Sequence, residues 1–157
     1  MDIEEQYDKI YRYCYFKMYD DQIAQDITQE TFLRFYRQGL TLDNDKELPY
    51  LYTIAKNQCI DHFRKRTLES LEEITEEVID DPTENLISNL TLRMTISKLP
   101  SDERELIFLR YVNEISIATI CKITGLSRFA VYRRLSKSLK WLKEELKKVG
   151  FSEGAIN

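Results

Sequence analysis

Residues 116–135 read SIATICKITGLSRFAVYRRL, two amphipathic segments separated by a glycine. A helix-turn-helix needs a small side chain where its helices touch, a glycine at the turn and apolar residues that hold the second helix. Cys121 supplies the small residue, and Gly125, four positions later, supplies the turn. The apolar positions are Ile120 and Ile123 in the first segment and Leu126, Val131 and Leu135 in the second. We therefore predict a helix-turn-helix whose second helix starts at Ser127.

The second helix of this motif has a basic outer face. With Val131 and Leu135 packed inward, the side chains on the opposite face or its flanks are Arg128, Tyr132, Arg133, Ser136 and Lys137. A recognition helix places its N-terminal side chains in the major groove, where arginine can bind guanine through two hydrogen bonds. We predict base contacts for Arg128, Tyr132 and Arg133, and phosphate contacts for Lys137, Lys140 and Arg134. The alternative is a solvated basic face on a helical hairpin.

The charge distribution supports the DNA-binding interpretation. The 157 residues carry a net charge of −4, yet residues 96–157 alone carry +5, the sign expected of a phosphate binder. Residues 67–95 hold 1 basic side chain against 8 acidic ones and include Pro82, which favours a linker that does not touch DNA. Residues 1–66 carry −2.

Helical patterning extends over the rest of the chain. Four glycines and three prolines are few for a β-rich protein, and apolar residues recur at helical spacing through residues 1–66, which predicts three or four packed helices. Pro49 suits the first turn of a helix over 50–66 that follows a polar loop. Ser101 suits the N-cap of a helix that runs to Val112.

We therefore expect an all-α chain of two small helical domains joined by an acidic linker. Its predicted intervals are a helical domain at 1–66, the linker at 67–95, a helix-turn-helix domain at 96–148 and a short tail at 149–157.

Several functional classes are excluded by what the sequence lacks. It has no apolar run long enough to span a membrane and no secretion signal, so we expect a cytoplasmic protein. Three cysteines without a C-x-x-C pair and a single histidine, His62, make a poor metal site, so we expect neither metal nor cofactor. A P-loop, an H-E-x-x-H motif and a serine-histidine-aspartate arrangement are all missing, which argues against an enzyme.

Two separated sets of segments resemble the extracytoplasmic-function (ECF) sigma factors of the sigma-70 family. The N-terminal set is DITQETFLR at 26–34, LYTIAKN at 51–57 and DHFRKR at 61–66, which is similar to their conserved region 2. The C-terminal set is Leu99-Pro100, Leu109-Arg110-Tyr111 and ICKITGLS at 120–127, which is similar to region 4. The resemblance implies two helical domains that bring bacterial RNA polymerase core to promoters and open the DNA.

The resemblance also implies site residues in the N-terminal domain. The helix at 26–34 matches the surface that docks on the coiled coil of the largest polymerase subunit. Its expected polar contacts are Asp26, Gln29, Glu30 and Arg34, with Ile27 and Leu33 expected in the core.

The loop at 39–48 and the following helix correspond to the reader of the minus-ten element. A flipped base needs polar edges and an aromatic face, and the backbone needs cations. The candidates are Asn44, Tyr50, Tyr52, Lys56, Asn57, Gln58, Arg64 and Lys65. For each tyrosine, a place in the core is the open alternative.

In the C-terminal domain the resemblance implies recognition of the minus-thirty-five element and contact with the polymerase flap. The candidates for DNA contact are Arg128, Phe129, Tyr132, Arg133, Ser136 and Lys137. The chain departs from the family pattern at Tyr50, where tryptophan is common, at Cys121, where alanine is usual, and at Thr124, where an apolar residue is usual.

Two expectations about partners complete the sequence interpretation. Members of the family are commonly inhibited by an anti-sigma factor, often anchored in the membrane, so we expect one here, holding the chain at the inner face of the membrane without direct insertion. The competing interpretation is a one-component helix-turn-helix regulator that binds duplex DNA without polymerase core.

Overall fold

The computed structural model describes residues 2–39, 41–69 and 86–150, and every regular element within those ranges is a helix. Two compact units contain these helices. The N-terminal unit holds α1 (Ile3–Met18), α2 (Asp21–Arg37) and α3 (Asn44–Glu69). The C-terminal unit holds α4 (Leu86–Ser97), α5 (Ser101–Ile107), a π-helical turn (Phe108–Val112), α6 (Ile117–Thr124) and α7 (Arg128–Lys148). The predicted all-α fold is confirmed.

Side-chain caps fix the starts of the first two helices. The Asp2 carboxylate accepts a hydrogen bond from the amide of Glu5 at 2.8 Å, and the Asp20 carboxylate accepts one from the amide of Ile23 at 3.0 Å. Each cap satisfies one of the amides that the first helical turn leaves without a partner. Tyr19 ends α1 in the left-handed conformation, with φ of 54°. The short connection then lets α2 pack against α1.

The core of the N-terminal unit lies between its three helices. Its fully buried apolar side chains are Ile10, Cys14, Ala24, Leu51 and Ala55. Two buried threonines on α2 satisfy their hydroxyls locally, because Thr28 and Thr31 donate to the carbonyls of Ala24 and Ile27 at 2.6 and 2.7 Å. The core therefore accepts these polar side chains without leaving a hydroxyl unpaired.

The third helix begins earlier than the sequence predicts. Pro49 was expected in the first turn, but α3 starts at Asn44 and contains Pro49 in its interior. Asp45 and Glu47 in the first turn favour a helix start there, and Leu48 packs into the core. Pro49 is the sixth residue of α3, beyond the first four amides that have no partner in any helix, so its missing N–H removes one intrahelical hydrogen bond. The predicted polar loop is correspondingly shorter.

In the C-terminal unit, the helix that follows Pro100 differs from the prediction at both its start and its end. Ser101 was predicted as the N-cap of one helix through Val112. Instead Pro100 precedes the helix, without a side-chain cap hydrogen bond, and its carbonyl accepts from the amide of Arg104 at 3.0 Å. Proline fixes its own φ near the value needed there, so Ser101 becomes the first helical residue. The helix then ends at Ile107 and continues as the π-helical turn.

Helices α5, α6 and α7 enclose the core of the C-terminal unit. The most deeply buried apolar residues are Leu106, Leu109, Ile120, Val131 and Leu146. The Ser138 hydroxyl on α7 donates to the Glu103 carboxylate on α5 at 3.2 Å, a polar contact at the edge of this core. On the opposite side of α7, side chains such as Arg133 and Lys137 are exposed.

The interval 67–95, predicted as a linker, contains regular structure at both ends. Helix α3 continues to Glu69 and α4 begins at Leu86, while the acidic stretch 70–85 lies outside the described residues. The division into four intervals therefore stays a prediction. No helix in the described ranges is long and apolar enough to cross a membrane.

A tyrosine–carboxylate pair links α1 to the first turn of α2 and gives a testable pH dependence. The Tyr11 hydroxyl donates to the Asp21 carboxylate, and this hydrogen bond, with some burial, raises the pKa of Tyr11 from 10.0 to about 12. Between these two pH values the unfolded chain loses the Tyr11 proton while the folded chain keeps it, so stability falls as the pH rises. We expect Tyr11→Phe to reduce that fall, measured by urea unfolding at pH 9 to 12. If the free energy of unfolding fell equally steeply with pH for the unsubstituted protein and for Tyr11→Phe, the expectation would be contradicted.

Candidate nucleic-acid and polymerase interfaces

The predicted helix-turn-helix is confirmed at its caps and its turn. The Ser116 hydroxyl accepts from the amide of Thr119 at 3.2 Å and starts α6. Gly125 ends α6 with φ of 78°, and its amide donates to the carbonyl of Cys121 at 2.8 Å. The Ser127 hydroxyl accepts from the amide of Ala130 at 3.1 Å and starts α7. The Ser116 cap thus fixes the start of α6, and Gly125 and the Ser127 cap fix the two ends of the turn.

A substitution at Gly125 tests whether the turn requires a residue that adopts positive φ without strain. A Cβ added there would meet no atom within 4 Å, so the cost of a side chain is backbone strain alone. Gly125→Ala should destabilise the C-terminal unit by about 1–2 kcal/mol, because an L-residue in the left-handed region is strained. We expect its melting temperature to fall by about 4–8 °C or more, measured by circular dichroism. Gly125→Asn, which tolerates this conformation, should lose less; equal losses would contradict the strain argument.

Helix α7 separates a buried face from an exposed one. The buried face is formed by Val131, Leu135, Ser138, Leu142 and Leu146. The predicted contacts to DNA are all exposed: Arg128, Phe129, Tyr132, Arg133, Ser136 and Lys137. From Arg128 to Lys143 the helix carries six basic residues and no acidic one. This face is therefore a cationic surface with two exposed aromatic rings, and its contact with DNA stays a prediction.

Two exposed side chains of this face, those of Phe129 and Arg133, contact each other. The Arg133 guanidinium carbon lies 5.6 Å from the centroid of the Phe129 ring, a cation–π contact. Phe129 is 72% exposed. Among the described residues no carboxylate lies within salt-bridge distance of Arg133, so its charge is available to a ligand.

Helix α2 presents the residues expected to contact polymerase. Asp26, Gln29 and Arg34 are exposed, Glu30 is half-buried, and the Arg34 side chain pairs with the Glu30 carboxylate at 3.0 Å. Ile27 is buried as expected, but Leu33 is 50% exposed, so the expectation of a core position for Leu33 is wrong. Leu33 lies three positions after Glu30 and seven after Asp26, which places it on the same stripe of the helix. The stripe thus has an apolar centre.

Sequence reasoning also missed Tyr36 on this helix. Its ring is 56% exposed and lies 5.4 Å from the Phe35 ring and 6.4 Å from the Phe32 ring, measured between centroids. Its place three positions after Leu33 was the available signal, because side chains three apart share a helix face. The face that was expected to be polar therefore exposes two large apolar side chains.

The structure contradicts the prediction that Tyr52, on α3, contacts the minus-ten element. Tyr52 is 1% exposed, and its ring packs edge-to-face on Tyr13 with centroids 5.3 Å apart. It lies between the buried positions Leu48 and Ala55 at helical spacing, which directs its side chain into the core. Tyr52 therefore has no face open to a base, and the core alternative is the correct one.

Tyr50, the other candidate tyrosine, is half-buried. Its ring lies 5.9 Å from the Phe35 ring, and its hydroxyl donates to the side-chain oxygen of Gln38, the residue that caps the end of α2. The exposed candidates on or beside this surface are Asn44, Lys56, Asn57, Arg64 and Lys65. A rise of 1.5 Å per residue places Lys65 about 22 Å along the axis from Tyr50. The helix thus offers an elongated surface, with Lys56 near its middle and Arg64 and Lys65 at the far end.

Gln58, also on α3, has an unsatisfied amide. Its Nε2 atom is buried and has no hydrogen-bond acceptor among the described residues, although the side chain as a whole is half-buried. An unpaired buried donor costs about 1–3 kcal/mol, so an acceptor that arrives with a ligand would stabilise it. No group of three or more histidine, cysteine, aspartate or glutamate side chains in the described ranges could hold a metal ion.

Comparison with known proteins matches the two units to two family models. Sigma-70 region 2 matches residues 3–69, and sigma-70 region 4 matches residues 89–142. The chain is 32% identical to the ECF RNA polymerase sigma factor SigW of Bacillus subtilis, over 89% of this chain and 84% of SigW. The chain belongs to the ECF sigma factors. Sigma factors bind RNA polymerase core and promoter DNA.

Other relatives agree with this assignment to the ECF sigma factors. BldN of Streptomyces coelicolor is 30% identical over 79% of this chain, which spans 51% of BldN. SigM of Bacillus subtilis is 29% identical over 75% of this chain and 76% of SigM. A solved structure of the sigma factor RpoE of Bartonella quintana, in complex with the anti-sigma factor NepR, has a TM-score of 0.63 at 18% identity and covers 90% of this chain and 92% of RpoE. That structure shows the same fold.

Proposed function

We propose that this ECF sigma factor docks on core polymerase through α2, reads the minus-ten element with the exposed surface of α3, and reads the minus-thirty-five element with the outer face of α7. The observation that supports the proposal is that helices in each of the two units bury one side and leave the candidate contact residues exposed on the other. Such a protein uses its binding free energy to position RNA polymerase core at a promoter, and it catalyses no covalent change.

The minus-thirty-five role is supported by the charge and exposure of α7. Its N-terminal turn carries Arg128 and Phe129, and the next turn carries Tyr132 and Arg133, all exposed. Recognition helices read base edges with these turns, whereas Lys137 and Lys140 lie further along the helix, where phosphate contacts fix the register.

The minus-ten role is supported by the chemistry along α3. Tyr50 offers an aromatic edge, and the exposed Asn57 offers both hydrogen-bond donors and an acceptor. A base turned out of the duplex needs this combination, because it exposes its pairing edge and a face that stacks. Arg64 and Lys65 supply the charge that the phosphates require.

The docking role is supported by the mixed character of the α2 stripe. Protein interfaces combine a buried apolar centre with a polar rim. On α2 the exposed Leu33 is the centre, and Asp26, Gln29 and the Glu30–Arg34 pair form the rim.

Control by an anti-sigma factor is part of the proposal. Each unit exposes large apolar side chains, among them Leu33, Phe63, Met94 and Tyr111, which an inhibitor could cover. An inhibitor anchored in the membrane would hold the chain at its inner face, and active sigma factor would act in the cytoplasm, where the polymerase is.

Transcription reconstituted from purified parts tests the proposed function. The full chain is mixed with bacterial core polymerase and a library of promoter fragments, and run-off transcripts and permanganate-reactive thymines are measured. We expect transcripts and opened DNA only when chain and core are both present. Tight binding to duplex DNA by the chain alone, with no transcripts, would favour the one-component regulator instead.

A further inference from the structure

An aromatic ring stands at the first turn of the recognition helix with little contact to the protein. Phe129 is the second residue of α7 and is 72% exposed, more than Tyr132 at 50%. Its position two residues before Val131 turns it about 200° around the helix axis from that buried side chain. Phe129 therefore projects from the side of α7 that is farthest from the core.

Arg133 projects from the same side. It lies two residues after Val131 and four after Phe129, so the two side chains are neighbours on the helix surface. The distance of 5.6 Å between the guanidinium carbon and the ring centroid is short enough for a cation–π interaction, which holds the Arg133 side chain against the ring. A long side chain that is already held in one orientation loses less conformational entropy when it binds a ligand.

The chemistry of this pair matches two groups of the major groove. Thymine is the base that presents a methyl group there, and apolar side chains contact it. Guanine presents the N7 and O6 acceptors that arginine binds with two hydrogen bonds. The 5.6 Å between the two side-chain groups is less than two base steps, which span about 6.8 Å, so both reach the same or neighbouring base pairs.

We propose that Phe129 and Arg133 act as one specificity determinant that reads the 5-methyl group of a thymine and a guanine beside it in the minus-thirty-five element. The inference rests on the proposed function of α7 and adds to it the base chemistry that the helix selects. Phe129 provides the contact to the methyl group and also holds the Arg133 guanidinium at the guanine edge. Loss of the ring should therefore weaken discrimination at both bases.

Base analogues test this pair with changes of single groups. Starting from a promoter transcribed by the reconstituted holoenzyme, each thymine of the minus-thirty-five element is replaced by deoxyuridine, which lacks only the methyl group. We expect one such replacement, at a thymine beside a guanine, to lower the apparent affinity of the holoenzyme about fourfold. Replacing that guanine by 7-deazaguanine, which removes the N7 acceptor, should lower it about fivefold or more.

The variants decide whether these effects belong to the pair. Phe129→Ala should bind the unmodified promoter more weakly and lose its response to deoxyuridine, and Arg133→Ala should lose its response to 7-deazaguanine. Val149→Ala, which shortens an exposed apolar side chain just beyond α7, should keep both responses. An active holoenzyme that is indifferent to deoxyuridine, or a Phe129→Ala variant that keeps the full response, would overturn the inference and leave the proposed function standing. Absence of transcripts from every promoter would overturn both.

Discussion

Replacing Val131 by aspartate is expected to unfold the C-terminal unit while the N-terminal unit stays folded. Val131 is fully buried on α7, which packs on α5 and α6, so a carboxylate placed there would be withdrawn from water. Burying an unpaired charge costs several kcal/mol, which equals or exceeds the stability of a unit of this size. Amide NMR spectra should keep the dispersed signals of α1–α3 and lose those of α5–α7, and promoter-dependent transcription should fall about a hundredfold or more.

Val149→Asp is the matched control, because it makes the same change at an exposed position just beyond α7. Its spectrum and its transcription should stay close to those of the unsubstituted protein. A Val131→Asp protein that kept a cooperative unfolding transition in both units would contradict the packing of α6 on α7.

Replacing Leu33 by aspartate is expected to remove polymerase binding without unfolding the protein. Leu33 is half exposed at the centre of the α2 stripe, so a charged side chain there meets water in the free chain. In a complex the same charge would be buried at the centre of the interface, where the few dominant residues each contribute about 2 kcal/mol or more. We expect the affinity for core polymerase to fall about 30-fold or more, measured by fluorescence anisotropy of labelled chain.

Ile3→Asp provides the comparison for this variant, since Ile3 has a similar exposure on α1 and no place in the proposed interface. Its affinity for core should change little. If Leu33→Asp kept normal affinity with unchanged helicity, the docking surface would have to lie elsewhere on the chain.

The helix-turn-helix was predictable because its signals are local. A serine cap, a glycine that adopts positive φ and a second serine cap lie within twelve residues, and each acts on its nearest backbone neighbours. Such interactions do not depend on the remainder of the fold, so the structure has the predicted turn at Gly125, and α7 starts within one residue of the predicted Ser127. The outward placement of Arg128 and Arg133 follows from the same periodicity.

The errors arose where distant contacts decide the outcome. Leu33 and Tyr52 both have large side chains that can pack in a core. Sequence periodicity alone does not determine which face of the helix is buried. Tyr52 is buried because Tyr13 of α1 packs on it, and Leu33 is exposed because α1 and α3 pack on other sides of α2. The early start of α3 likewise depends on a tertiary contact, the burial of Leu48, which outweighs the single hydrogen bond that Pro49 removes.

The π-helical turn after α5 has a consequence for how the sequence can change over evolutionary time. In that turn the amide of Asn113 reaches back five residues to Phe108, and the amide of Ile115 bonds to the carbonyl of Leu109. A π turn is equivalent to a helix with one inserted residue. Deleting a residue there would restore a regular helix and at the same time rotate the following chain, so that Asn113 and Ile115 would leave their buried positions. Relatives that lack the extra residue should therefore also differ at both of those buried positions.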